Sequence, residues 1–594
     1  MKFKHAVFVV PAVLVVAQIA ALALQKERDT DAGPYPSDWF GMQRAFPYES
    51  IPQGKYQAAV EQALSEREAA GSSKMTANAG VLQWQFAGPT NIGGRVTALA
   101  ALPGGATAYL ASANGGVYKS TNGGADWAPI FDAASAYSVG ALCLDPADNN
   151  VLYVGTGEAN ASVDSYDGAG LFRSDDGGDN WTYLGLAETR RIARVRVDPS
   201  NSNRIFVAAM GPQFSSSPDR GLYRSEDRGQ TWTKVLFVSD STGVTDVAIN
   251  PAHPETVYCA TWERIRRPTY RRAYGPECGI WRSIDHGTTW ARLSNGLPLP
   301  SDDVGRIAIA IAPSQPSTIY AQIITGAALG YNGLGLYRST DGGDTWTRRD
   351  ISGFTGQFGG FGWYFGDMYV HPTNPNQIYC LGVELVTSSD GGQSFTDITG
   401  SAHVDTHTLW FDPLNASHLY LGSDGGFFST TAAGPPWTKS TNLPITQFYN
   451  GAVDAANVNR LVGGTQDNNT ILTSSGPGSW NPILGGDGFQ CLIDPTNPSI
   501  VFAEYQFMSS GQGPLRSVNG GAGWSAPTGF GASDRYNWDS PFCMNPLNHN
   551  ELLAGSQRVY RSTNNGQTYL TISGDLTTNR TDAQVVYSTI TTME

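Results

Sequence analysis

An eight-residue pattern, Ser-x-Asp/Asn-x-Gly-x-x-aromatic, recurs along the chain and constrains its fold more than any other feature. Clean copies begin at Ser120 (STNGGADW), Ser174 (SDDGGDNW), Ser225 (SEDRGQTW), Ser283 (SIDHGTTW), Ser339 (STDGGDTW), Ser388 (SSDGGQSF), Ser517 (SVNGGAGW) and Ser562 (STNNGQTY). Degraded copies at Thr430 (TTAAGPPW) and Thr473 (TSSGPGSW) fill the remaining gap, so ten copies follow one another 42 to 58 residues apart. Such a period marks a repeat architecture in which one supersecondary unit is reused. Each period carries four strand signals. An apolar strand ends in a Pro turn, as in Leu142–Pro146 or Val195–Pro199, because Pro cannot donate to a ladder. A second apolar strand follows, then a short aromatic strand such as Gly221–Arg224, and a fourth strand starts at the box aromatic.

The box has a turn's chemistry. An Asp or Asn oxygen can accept backbone N–H groups across a hairpin, and the glycines tolerate positive φ. The Trp covers the turn with a large apolar ring. On this reading Asp176, Asp227, Asp285, Asp341 and Asp390 are structural. The pattern resembles the Asp-box, or bacterial neuraminidase repeat, family over roughly residues 84–594. That family includes sialidases, xyloglucan-degrading enzymes with two tandem propellers, and sortilin-type receptors. The resemblance implies an all-β propeller of four-stranded blades, closed to remove sheet edges. Ten copies predict one ten-bladed ring of the sortilin type. The alternative is a seven-bladed propeller followed by part of a second, and Val586–Glu594 reads like the first strand of a further blade.

The regions before the blades are read from composition. Residues 1–24 form an export signal or an N-terminal membrane anchor: Lys2, Lys4 and His5 precede an apolar run ending near Ala21-Leu22-Ala23. The body is therefore expected outside the cytoplasm, secreted or at the cell surface, with membrane attachment only through this segment. Residues 25–83 hold an extended aromatic arm, one short amphipathic helix from Lys55 to Ala70, and a linker. A net charge of −14 argues against nucleic acid as a partner. Six cysteines make no disulfide scaffold, but Cys259 and Cys278 bracket a loop between neighbouring strands and form a candidate disulfide.

The box turns mark one face of a propeller, so chemistry is expected in the opposite loops. There, His403, Asp405 and His407 alternate at strand spacing and form a candidate divalent-metal set. Asp405, Asp467 and Asp487 are the candidate acid and base of a glycosidase, which needs two carboxyl groups. Gln466 and Asn468 flank Asp467 as candidate ligand contacts. An inserted loop carries Arg264, Arg266, Arg267, Arg271 and Arg272, suited to an acidic polymer or partner. Trp363 and Tyr364 lead the aromatic loop residues that suit a glycan. A sialidase is set aside, because the only arginine near the start of the first blade is Arg95, without the Arg-Ile-Pro segment such enzymes carry. The leading expectation is a non-catalytic scaffold that binds protein or polysaccharide and self-assembles. The alternatives are a glycoside hydrolase similar to the xyloglucan-degrading enzymes and a sortilin-like peptide receptor.

Overall fold

Ten antiparallel sheets follow one another along the chain, each a meander in which consecutive strands pair. The structure is a computed structural model. It describes residues 85–162, 164–267, 270–349, 354–577 and 589–593, with Pro52 and eight residues between 55 and 66. The export segment and the linker lie outside the described residues, as does most of the arm; of the final strand-like stretch, residues 589–593 are described and form no strand. Those eight residues, Lys55 to Glu66, are helical where the amphipathic helix is expected. Among the described residues no helix is long and apolar enough to cross a membrane.

Blades 1 to 10 span 96–129, 139–183, 192–236, 242–292, 304–348, 368–397, 406–439, 448–484, 491–517 and 542–571. Nine are four-stranded, while blade 9 pairs three strands and adds a bridge from Arg516 to Ser525. The middle strands are buried over most of their length, and throughout in Ala108–Ser112 and Ile319–Thr325. The fourth strands are short and exposed, as in Thr182–Tyr183. Apolar strands therefore form the inter-blade core and polar short strands the rim.

The contacts favour closure after seven blades over one ten-bladed ring. Val96–Ala101 of blade 1 packs on Val139–Asp145 of blade 2 and, on its other side, on Thr406–Asp412 and Asn415–Ser423 of blade 7. One apolar cluster joins Val96, Leu110 and Trp127 to Tyr420, Phe427 and Leu443. Tyr420 also donates its hydroxyl to Gly105 O at 2.8 Å, and Gly104 N donates to Asp412 Oδ1 at 2.9 Å. At the axis, a cavity of about 20 Å³ is lined by Thr97, Gly140, Arg194, Thr245, Arg306 and His407 of blades 1 to 5 and 7, and by Asp367 just before blade 6. The even spacing of the boxes hides this closure, because blade 8 follows blade 7 without a change of period.

Blades 8 to 10 pack on one another through two further clusters, one holding Val462, Cys491 and Val501, the other Phe502, Phe542 and Tyr560. The chain entering blade 1 runs along blade 8: Thr90 N donates to Pro477 O at 3.0 Å and Trp480 Nε1 to Ala87 O at 3.0 Å. Blade 8 is thus tied to the ring by the segment that starts the ring.

Each intact box closes its turn in the same way. In blade 5, Ser339 Oγ donates to Asp341 Oδ1 at 2.7 Å, Gly343 N donates to Ser339 Oγ at 2.8 Å, and Thr345 N donates to Asp341 Oδ1 at 2.9 Å. Several box tryptophans reach the preceding blade instead of their own turn. Trp181 Nε1 donates to Ile130 O and Trp232 Nε1 to Leu184 O, both at 2.8 Å. The repeat therefore staples blades together as well as turning the chain.

The donors around these carboxylates hold them below the ordinary Asp range. Asp176, Asp227 and Asp341 are lowered to about 2, chiefly by side-chain donors Asn180, Thr231 and Thr345 and then by backbone N–H groups. A carboxylate lowered in the folded state contributes stability above its unfolded pKa, here about 3.8, and loses it as pH falls through about 2. Asn fills the same position in three natural boxes, as Asn122, Asn519 and Asn564. We therefore expect the triple variant Asp176→Asn, Asp227→Asn and Asp341→Asn to fold at neutral pH. Its melting temperature should fall less than the wild type's between pH 4 and pH 2; an unchanged acid profile would contradict the assignment.

The candidate disulfide is not formed, and both thiols are free and buried. Cys259 pairs in register with Trp281. Cys278 lies an odd number of residues from that partner, so its side chain leaves the sheet on the other face.

Candidate active site

The loops opposite the box turns converge where blades 1, 2, 6 and 7 of the ring meet blade 8. Arg95 enters just before blade 1 and is fully buried. Its guanidinium meets Glu158 at 2.7 Å, Asp164 at 3.2 Å and Asp424 at 3.8 Å. Glu158 and Asp164 come from the loop joining strands two and three of blade 2, and Asp424 from the same loop of blade 7. Asp424 also receives His407 Nε2 at 2.7 Å, Gln466 Nε2 at 2.9 Å and Tyr364 Oη at 3.1 Å. Burial pushes the Asp424 carboxyl up, but His407 and Arg95 outweigh it and hold it at about 2.

An open groove of about 600 Å³ lies beside this network. Asn114, Ser138, Asp164 and Tyr166 form its ring wall, and Gln447, Phe448 and Tyr449 its wall at the entry to blade 8. Asp164 is the charged residue in that lining. Burial raises its carboxyl, yet Arg95 more than offsets this and leaves it below the ordinary Asp range. Within the blade 8 wall, the Tyr449 phenol is raised by burial and then by the charges of Asp164 and Asp487.

The three expected carboxyl residues come together. Asp405 precedes the first strand of blade 7, Asp467 lies in the strand-two loop of blade 8, and Asp487 in the connection from blade 8 to blade 9. Gln506 Nε2 donates to Asp487 Oδ2 at 3.2 Å, and Asp467 N donates to Asp487 Oδ1. Burial and then the neighbouring Asp467 raise both Asp405 and Asp487.

Other expected site residues serve different ends. His407 is turned away from His403 and Asp405 and is held by Asp424, with Asn160 Nδ2 3.3 Å from its Nδ1. The shift in register before Thr408 puts its ring on the axis of the propeller. Asp467 takes its place beside His403 and Asp405. Gln466 and Asn468 are buried and fix blade 8 on the ring, Asn468 Nδ2 donating to Asp424 O at 2.9 Å. Trp363 and Tyr364 are buried and offer no open face to a glycan.

The described arginines of the inserted loop do not form an exposed grip. Arg264 and Arg266 are buried, and Arg264 donates to Ala161 O at 2.8 Å and lies over Trp262 and Trp363. Arg272 pairs with Glu263 at 2.6 Å and with Asp302 at 2.5 Å. The side chains of Arg267 and Arg271 lie outside the described residues. The guanidiniums of Arg264, Arg266 and Arg272 are thus spent inside the fold.

Three comparisons bear on this arrangement. The family model for the BNR-Asp box repeat matches residues 222–235, the blade 3 hairpin. An ancestral GH74 enzyme of known structure superposes with a TM-score of 0.57 at 18% identity, covering 84% of this chain and 72% of that one. The chain is an Asp-box β-propeller protein. A xyloglucanase from a Paenibacillus species is 24% identical to this propeller protein, over 78% of this chain and 55% of its own length. A xyloglucanase from Hypocrea jecorina (strain QM6a) is 25% identical over 57% of this chain and 40% of its own length. This propeller protein thus spans about half the length of the curated relatives it matches. Both relatives are enzymes, which corrects the expectation of a non-catalytic scaffold and points to the glycoside hydrolase alternative.

The sequence reasoning missed Asp164, Asp424, Glu158 and the role of Arg95. A signal was present. An acid stands within two residues of the end of strand two in blades 2, 7, 8 and 9, as Glu158, Asp424, Asp467 and Glu504. Such a recurrence in loops of the face opposite the boxes marks residues placed for chemistry rather than for turning the chain.

Proposed function

We propose that this protein is a glycoside hydrolase acting on a β-glucan polysaccharide of the xyloglucan class, in the groove between the ring and blade 8. The observation that carries the reading is Asp164, a carboxylate in the wall of an open groove, kept ionised by Arg95 behind it. The names of the curated relatives supply the substrate class. Glycoside hydrolysis needs one carboxylate and one carboxylic acid flanking the bond. Asp164 is assigned as the base that activates water. Asp487, in the connection from blade 8 to blade 9, is assigned as the second carboxyl group. Arg95 orients Asp164 and prevents it from taking up the proton prematurely.

The groove walls suit a sugar chain. Asn114, Ser138 and Gln447 offer amide and hydroxyl groups to sugar hydroxyls, while Phe448 keeps 43% of its surface exposed. An exposed ring beside polar groups stacks on the apolar face of a pyranose. Replacing Phe448 with Ala is expected to raise KM about tenfold, about 1.4 kcal/mol, with a smaller change in kcat. Steady-state kinetics on soluble xyloglucan measure this, and an unchanged KM would remove Phe448 from the binding surface. The reading as a whole is tested by reducing-end release from xyloglucan, with cellulose and mixed-linkage glucan as comparators. Wild type should release ends and Asp164→Asn should not.

A further inference from the structure

His403, Asp405 and Asp467 bring one ring nitrogen and two carboxylate oxygens within 4.8 Å of one another. His403 Nδ1 lies 2.9 Å from Val404 O, so its N–H is directed to that carbonyl. The other nitrogen, Nε2, faces inward, 3.3 Å from Asp467 O. Fixing one imidazole N–H on a carbonyl is how metal-ligating histidines are oriented. Asp467 Oδ2 is fully buried and has no hydrogen-bond partner, although its residue touches the Asp405 carboxyl. An imidazole nitrogen, two carboxylates and a backbone carbonyl therefore face one another, and Asp467 Oδ2 among them is a buried acceptor without a partner. Burying unpaired acceptors this way is unfavourable unless something positive lies among them.

We propose that His403 Nε2, the Asp405 and Asp467 carboxylates and Asp467 O bind one divalent metal ion of the zinc class. The imidazole selects against calcium and magnesium, which take oxygen-only sets, and mixed nitrogen and oxygen donors suit zinc. The ion would bridge the loop before blade 7 to the strand-two loop of blade 8. It would so hold the two sides of the groove at a fixed distance. The site stands apart from the hydrolase reading, since it needs no substrate and none of its ligands is Asp164 or Asp487.

The test uses the whole chain, stripped with EDTA and dialysed. Zinc chloride is titrated in by calorimetry, with calcium and magnesium chloride in parallel, and melting temperature is followed in the same samples. One zinc per chain should bind and raise the melting temperature, with calcium and magnesium at least tenfold weaker. His403→Ala and Asp405→Asn should each weaken zinc at least tenfold while keeping the wild-type circular dichroism. Absence of zinc binding by the folded wild type would overturn the proposal, leaving a shared proton between Asp405 and Asp467. Zinc bound equally by wild type and both variants would overturn it too, by placing the metal elsewhere. Calcium bound more tightly than zinc would overturn the zinc class.

Discussion

Replacing Arg95 with Met is expected to be the most destabilising single change in the ring, by about 3–5 kcal/mol. The side chain is fully buried against Glu158, Asp164 and Asp424. Met fills a similar volume, so the loss is not one of packing. It is the exposure of three buried carboxylates to one another with their shared cation gone. Mutual repulsion in a low-dielectric site costs far more than a surface ion pair would contribute. His407 would still partner Asp424, which caps the loss. A denaturation midpoint shift reads the effect. Adding Glu158→Gln to Arg95→Met should recover part of it, because one of the stranded charges is removed while its hydrogen-bonding shape is kept. An Arg95→Met protein as stable as wild type would show that the carboxylates are neutralised in some other way.

Asp164→Asn should lower kcat on xyloglucan by about 10²–10⁴-fold, the range for loss of a positioned general base. KM should change little, because Asn keeps the size and one acceptor of the original side chain. The fold should survive. Arg95 keeps Glu158 at 2.7 Å and Asp424 at 3.8 Å, so only one of its three partners is lost. Asp487→Asn should produce a comparable fall if it supplies the second carboxyl group. The pair separates catalysis from scaffold effects: a variant that melts like wild type and still binds substrate, yet does not turn it over, has lost chemistry alone. Wild-type kcat in Asp164→Asn would move the base to another residue.

How much of this was legible in the sequence differs between fold and site. The boxes at Ser120 to Ser562 set the strand order, because each fixes a hairpin whose turn bonds are local. Blade composition needs only such local pairing. Ring closure does not. It depends on Val96, Leu110 and Trp127 meeting Tyr420, Phe427 and Leu443, contacts over three hundred residues apart that leave no mark in the period. The aromatic-rich repeat could close at either size, and only packing decides.

The site was partly legible for the same reason. Asp405, Asp467 and Asp487 were recognisable as loop acids on the face opposite the boxes, and they do meet. His407 was misassigned because the alternation His403, Asp405, His407 assumes an unbroken strand. The strand begins only at Thr406, and Asp405 has φ +59°. That left-handed residue resets the direction in which the side chains point. Arg264, Trp363 and Tyr364 looked like exposed loop residues but are buried, because they pack in or against the core that joins blades 4 to 6. Composition cannot tell a loop that faces solvent from one that covers its neighbours.

We propose that a groove between a seven-bladed ring and an eighth blade hydrolyses a β-glucan chain. The most direct measurement is reducing-end release from xyloglucan by the purified wild-type protein, run beside a folded Asp164→Asn control. Release by wild type, lost in the control, is the predicted result. No release from xyloglucan, cellulose or mixed-linkage glucan by a wild-type sample of native melting temperature would contradict it.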